Sequence, residues 1–310
     1  MYNSALAPDV VKTAIDLVFN TEFGLEMIPG YGTVDMDPIF RQDTTQKQAV
    51  IVDQFQGTGY FQTRAEQQDI PQGTARVGNQ QTYSVTNYAK SVDISKNLMD
   101  DDQHSTIDNL IKLMARTGRL TKSKNGFNYN YNLAFTTTKT NDGVAFFSNS
   151  HVTLNGDTVD NLETGVLSEP NLDVLFQSLM GQVTQDGTLG GHVPAVLLVP
   201  TAKFKLAQEV TKSELRQGTV NNDMSYYSQI YPGLQVYHSP FLSAAQGGSD
   251  SAYFLLSRDH SSTRWVRQDI TTDMIPYQFQ RNNNYIYKAE YREVTAPISY
   301  EGAVGSNGTV

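Results

Sequence analysis

The chain has 310 residues, 39% of them hydrophobic and 18% charged, with 17 Tyr and 14 Phe; a chain of this length buries about three quarters of the surface its unfolded form exposes, so it needs neither disulfide nor metal to be stable. The composition is that of a globular protein, not a disordered one. A net charge of -9 repels polyphosphates and no Lys/Arg run reverses this locally, which argues against direct duplex binding, while the lack of cysteine excludes a disulfide framework, a thiolate nucleophile and a Cys-ligated zinc.

Residues 1–20 lack a basic region followed by an apolar run, and no later stretch reaches the roughly 18 apolar residues of a membrane span, so a soluble, unexported chain is expected. Val10, Val11, Ala14, Ile15, Val18 and Phe19 recur at helical spacing behind Pro8 and Asp9, giving one amphipathic helix over residues 9–20. Gly24 and the run Pro29-Gly-Tyr-Gly32 end it. Strand-like runs follow at 49–55 and 83–94. They enclose residues 63–80, where Ile70 and Val77 are the only large apolar side chains. A long polar excursion without its own core serves a partner or ligand, or is disordered.

Asp100-Asp-Asp102 stands before Ile107, Leu110, Ile111 and Met114, an i, i+3, i+4, i+7 stripe, where acids suit a helix start. A calcium loop would need downstream ligands that are missing. Arg116, Arg119, Lys122 and Lys124 read as a solvated face of the same helix, and Gly118 with the polar run 122–132 marks a kink or early end. Residues 170–185 give a helix with a broad apolar face, 187–191 a glycine-rich connector, 193–199 a strand buried on both faces, and 201–215 a helix. Residues 233–237 and 252–257 read as strands, as do Trp265-Val266, 277–280 and 285–294 in an aromatic-rich antiparallel sheet; the tail from Glu301 reads as loose.

The candidate chemistry is thin. Asp142, Ser148, Ser150 and His151 share ten residues, yet Phe147-Ser148-Asn149 has no flanking glycines for a nucleophile elbow. Asp142-Gly143 reads as a turn and Ser148 to His151 as its polar exit. His104, His151, His192, His238 and His260 are never three to five apart, so no local metal pair exists. Residues 187–191 lack the ending of a phosphate loop. No catalytic, cofactor or metal residue is assigned, and a chain-binding scaffold fits better than an enzyme.

Four stretches resemble the major capsid proteins of tailed bacteriophages, in particular the Mu-type major head subunit group. They are Tyr83-Ser-Val-Thr-Asn-Tyr-Ala-Lys-Ser-Val-Asp-Ile-Ser95 leading into Asp100-Asp-Asp102; Asp142-Gly-Val-Ala-Phe-Phe-Ser-Asn-Ser-His151; Pro194-Ala-Val-Leu-Leu-Val-Pro200 with its following helix; and Leu234-Gln-Val-Tyr-His-Ser-Pro-Phe-Leu242. Each is weakly specific alone; their order along nearly the whole chain is the signal. The resemblance implies an α+β fold with an N-terminal arm (1–40), then the extended β-hairpin loop (about 47–87), the long spine helix (about 103–133) and part of a peripheral domain within 41–169. An axial domain (170–260) and the remaining peripheral strands with the C-terminal tail (261–310) complete it.

It further implies a non-enzymatic subunit that assembles with itself, as hexamers and pentamers, into an icosahedral shell enclosing double-stranded DNA. Scaffolding, portal and decoration proteins would be its partners, the virion its destination and the host bacterial cytoplasm its place of assembly, with no cofactor and no membrane. Arm and loop would reach over neighbouring subunits, and Arg64, Glu66, Asp69 and Arg76 are the candidate intersubunit contacts. No lysine lies between Lys47 and Lys90, so the loop-lysine cross-link of some members is not expected. The alternatives are another virion protein, such as a tail tube or sheath, and a hydrolase built on Ser148, Ser150 or His151.

Overall fold

The computed structural model describes residues 8–24, 39–101, 105–213, 226–279 and 284–309. In chain order these form α1 (Pro8–Phe23), β1 (Arg41–Thr44), β2 (Ala49–Phe55), β3 (Val77–Ser84), β4 (Thr86–Ser95), α2 (Lys96–Asp101) and α3 (Thr106–Phe127). There follow β5 (His151–Val152), β6 (Thr158–Val159), β7 (Leu162–Glu163), α4 (Glu169–Gly181), β8 (Pro194–Pro200), α5 (Phe204–Lys212) and α6 (Tyr226–Ile230). The chain closes with β9 (Gln235–Ser239), β10 (Tyr253–Ser257), β11 (Ser262–Ile275), β12 (Asn284–Pro297) and β13 (Ala303–Ser306).

Two sheets organise the core. The first runs β1-β11-β12-β4, with β1 parallel to β11 and the other pairs antiparallel. Burial alternates residue by residue along most of β12, as a pleated strand with one covered face requires. That face, with Tyr285, Tyr287 and Ala289, packs on Ile107, Ile111 and Met114 of α3 and on Val11, Ile15 and Phe19 of α1. The N-terminal helix is therefore docked on its own subunit, because its apolar stripe finds a matching stripe on α3. Residues 1–7 and 25–38 of the expected arm lie outside the described residues.

The second sheet runs β7-β13-β10-β8-β9. In β8, Leu197 faces a cluster under α4 and α5 while Leu198 faces Phe127, Tyr131, Phe146, Phe147 and Phe254 on the other side. This is the two-sided burial expected of the strand, except at Val193, which precedes β8 and is exposed. Ser168 caps α4 by accepting from Asn171 N–H, with Pro170 in the first turn.

Several expectations are corrected. The tail from Glu301 is not loose: β13 is buried throughout, between β10 and β7. Its small residues Ala303, Gly305 and Ser306 suit a strand packed on both faces, and a Cβ on Gly305 would lie 2.9 Å from the Phe147 ring. Residues 277–279 form a 3-10 turn, not a strand, after Pro276, which lacks an N–H for the ladder; Gln280 lies outside the described residues. Asp100 and Asp101 close α2 rather than open the long helix, and Asp102 to His104 are outside the described residues. The long helix does not stop early at Gly118 but runs unbroken to Phe127 and leaves through a π-helical turn, Asn128–Asn132. Gly118 faces the Phe23 ring of α1, 3.6 Å from where its Cβ would stand. The helix after Pro200 runs to Lys212, and residues 214 and 215 are not among those described.

Candidate assembly surfaces

β2 and β3 form an isolated two-stranded ribbon, Val50 opposite Tyr83 and Phe55 opposite Val77. Such a ribbon is at best marginal alone and needs support from the body. At its base Tyr83 supplies this: its ring stacks on Trp265 at 6.0 Å, and its hydroxyl, shared between two carbonyls, reaches Lys139 O at 2.8 Å and Pro297 O at 2.7 Å. Further out the supports are polar. Gln54, 2% exposed, donates to Gln185 Oε1 at 2.8 Å, Gly59 N–H donates to Asp186 at 3.0 Å, and Leu189 N–H donates to the Tyr60 hydroxyl at 2.9 Å. Of these partners only Leu189 lies in the stretch that reads from the sequence as a connector; Gln185 and Asp186 stand just before it.

Beyond Tyr60 the loop touches little. Every residue from 57 to 77 is exposed, including Tyr60, Ile70 and Val77, and Phe61 is as open as in a free peptide at 108%. The four charged candidates all lie here. Arg64 donates to the Gln68 carbonyl and the Arg76 carbonyl accepts from Gln56 N–H, but Arg64, Glu66, Asp69 and Arg76 form no ion pair among the described residues. Other large apolar side chains left open include Ile51 and Phe55 on β2, Val10 and Leu17 on α1, Leu113 on α3, and Val174 and Met180 on α4.

The cations of α3 divide. Arg116 and Lys124 are exposed, whereas Arg119 and Lys122 are half-buried, so the expected solvated face holds only for the first two. Lys122 Nζ lies 4.9 Å from the Phe23 ring centre, 5.1 Å from that of Tyr291 and 3.5 Å from Asp269. Burial, then the nearby Arg264, lower its pKa against the opposing pull of Glu293 and Asp269.

The Asp142–His151 stretch folds as a structural strut. His151 is fully buried, not part of a polar exit; Nδ1 lies 2.6 Å from Asp142 Oδ2, Nε2 faces the Phe146 carbonyl at 3.3 Å, and the ring stacks on Tyr300 at 4.6 Å. Burial raises the Asp142 pKa, but His151, the Thr140 hydroxyl and Val144 N–H outweigh it, and the carboxyl ends below its ordinary value. Ser148 and Ser150 contact each other at 2.9 Å instead of His151. With both imidazole nitrogens committed elsewhere, no serine here has a base. His192 pairs with Asp259 at 3.0 Å, Thr201 and His238 Nδ1 lie 3.2 Å apart, and His260 sits between the carbonyls of Ser257 and Ile39. His104 is outside the described residues. Among the described residues no three His, Asp or Glu side chains converge as a metal site, and no helix is long and apolar enough to cross a membrane.

A family model described as phage capsid protein matches residues 78–305. No curated protein matches the chain. Among solved structures, the fold is similar to the capsid of Myoviridae Phage XM1, with a TM-score of 0.52 at 10% identity over 91% of this chain and 94% of that one. A virus-like particle from Pyrococcus furiosus gives 0.55 at 9% identity, covering 95% of this chain and 98% of the other. The SrpI encapsulin complex from Synechococcus elongatus PCC 7942 gives 0.54 at 10% identity, covering 92% of each.

Proposed function

Because the chain belongs to the phage capsid protein family, and is thus a capsid shell protein with the tailed-phage capsid fold, we propose that it is the head subunit of a tailed phage, of the Mu-type group. On this reading it assembles as hexamers and pentamers into an icosahedral shell around double-stranded DNA. The observation that carries the reading is the fully exposed segment 57–77, with Phe61 open to water, on a subunit whose other apolar faces are mostly filled. Such a segment is completed by burial against another copy. Residues 1–40 serve as the arm, the 47–87 hairpin and α3 as extended loop and spine, 170–260 as the axial domain, and 261–310 with parts of 41–169 as the periphery. Arg64, Glu66, Asp69 and Arg76 are intersubunit pairing residues.

The contacts are non-covalent, since no lysine lies between Lys47 and Lys90 to cross-link the loop. Scaffolding, portal and decoration proteins are the partners, and the host cytoplasm is where the virion shell forms. The acidic subunit repels the genome it encloses instead of binding it. A second reading, a shell of encapsulin type, is favoured by the likeness to the Synechococcus complex.

Co-expression with a candidate scaffolding protein and negative-stain microscopy tests the proposal. Closed shells are expected; shells that form only with the scaffolding protein support the head reading, and shells formed by the chain alone support the encapsulin reading. Monomers under every condition sink both, and open tubes would point to a tail protein.

A further inference from the structure

The hairpin is fastened to its own subunit at two places of different chemistry. Near the first sheet the fastening is aromatic, through Tyr83 and Trp265. Near the second sheet it is polar: beside the Gln54 to Gln185 and Leu189 to Tyr60 bonds, one carboxylate holds the loop backbone directly. The turn from Thr184 to Thr188 closes through Thr184 N–H to Thr188 O at 2.8 Å and Gly187 N–H to Thr184 O at 2.9 Å, with Gly187 at φ +78°. Inside it, Asp186 divides its oxygens. Oδ1 accepts from Thr188 N–H at 3.1 Å, from the Thr188 hydroxyl at 2.7 Å and from the Thr184 hydroxyl, so it holds the turn. Oδ2 accepts from Gly59 N–H at 3.0 Å, so it holds the loop.

The loop is shaped for this approach. A Cβ on Gly57 would stand 2.6 Å from Asp186 Oδ2, closer than side-chain atoms come, and Gly59 adopts φ +75°, a conformation that favours glycine. Hydrogen bonds from Thr184 and Thr188, with Gly59 helping, hold the Asp186 carboxyl well below the usual carboxylate range. The clamp therefore stays charged in ordinary buffers and weakens only as pH falls far into acid.

We propose that Asp186 is a positioning residue for shell assembly: its carboxylate fixes where residues 61–76 leave the subunit. This rests on the shell reading above. Phe61 follows the clamped Tyr60 directly, and the hydrogen bonds of 61–76 are to the loop itself or to Gln56. The seven residues of β2 span about 23 Å at roughly 3.3 Å per residue. A rotation of about 10° at the Tyr83 end would thus carry the loop some 4 Å sideways, by the same geometry. Complementary surfaces do not tolerate such a displacement.

The test uses two variants of the full chain. Asp186→Asn keeps one oxygen for Thr184 and Thr188 but presents an amide, which cannot accept, to Gly59 N–H. Gly57→Cys with Asp186→Cys replaces the clamp by a reversible covalent one. A Cβ at position 57 lies 4.0 Å from that of Asp186, within disulfide range, and the native chain has no competing thiol. We expect Asp186→Asn to melt like the wild type but give about tenfold fewer closed particles. The double variant should be equally poor when reduced and recover to near wild-type yield when oxidised.

Wild-type yield from Asp186→Asn would overturn the proposal. So would an oxidised, mass-verified bridge that leaves yield low, or failure of the bridge to form at all. If the wild type itself makes no shells, the shell reading fails instead. Amide exchange at residues 57–60, unchanged between wild type and Asp186→Asn, would then refute the clamp separately.

Discussion

Removing residues 64–76 separates folding from assembly. The deletion shortens the connection between Phe55 and Val77 from 21 residues to 8. The closure term, (3/2)RT ln(21/8), favours the shortened subunit by about 0.9 kcal/mol. Against this stands the loss of the Gln56 N–H to Arg76 O bond, 2.9 Å long, worth about 0.5–1.5 kcal/mol and nearer the low end in water. Every deleted side chain is exposed, so almost no apolar burial is forfeited. The two effects cancel to within about 1 kcal/mol, a melting shift of no more than about 2–4 °C. Calorimetry should therefore find a normal subunit, while microscopy and sedimentation find no closed particles. Particles at normal yield would show that the loop is no interface element. A melting point lowered by about 10 °C or more would instead make the loop part of the subunit's own core.

Four further outcomes follow from the core and the strut. His151→Ala leaves the buried Asp142 carboxylate without its imidazole hydrogen-bond partner and should cost at least about 1–3 kcal/mol in urea unfolding. The Asp142 carboxyl lies below its ordinary value in the folded state, so its stabilisation is present above about pH 4 and fades as pH falls through the lowered value. Asp142→Asn should accordingly start less stable at pH 7 yet lose less on acidification than the wild type, and equal acid slopes would contradict this. Gly305→Ala places a methyl 2.9 Å from Phe147 and should destabilise by about 1–3 kcal/mol, whereas a loose tail would tolerate it. Phe19→Ala empties a site that is 1% exposed between α1 and the Tyr287 ring and should cost about 3–5 kcal/mol; a detached helix would cost nothing.

What the sequence disclosed was what repeats locally. The stripe Ile107, Leu110, Ile111 and Met114 announced α3, and the unbroken apolar run to Val199 announced a strand covered on both sides. β13 stayed hidden because Ala303-Val-Gly-Ser306 carries no strand pattern; its burial comes from Phe147 and from β10, both remote in the chain. The stripe on α1 told that one face is covered but not by what, so its docking on α3 went unseen. His151 looked like an exit residue because its partner Asp142 is also a turn former, and either role fits the same ten residues. Asp186 is the clearest omission. It meets Gly59 across 127 positions, and the only local traces were two glycines, 57 and 59, flanking a threonine. The family was legible through the order of four phrases; the clamp was not, because backbone amides leave no mark in a sequence.

These pieces bear on how a lattice of such subunits can be strong without its contacts being strong. Tyr60, Phe61 and Ile70 return about 1.5–3 kcal/mol each on full burial. Ordering a free chain costs about 1–2 kcal/mol per residue in backbone freedom, so sixteen wholly disordered loop residues would consume that gain several times over. The subunit has to meet part of the cost before assembly begins. It does so through the ribbon, the Gln56 to Arg76 bond, the Arg64 to Gln68 turn and the clamp at Gly59. What is left for each contact is a small net gain. If the loop packs on a neighbouring copy as proposed, a misplaced copy held by one such contact dissociates, whereas a correctly placed copy engages several at once and is retained by effective concentration. Strengthening a single contact, for example by adding apolar bulk at Thr63, should therefore lower the fraction of closed shells and raise that of malformed ones; a uniform rise in closed shells would mean that contact strength, not reversibility, limits assembly.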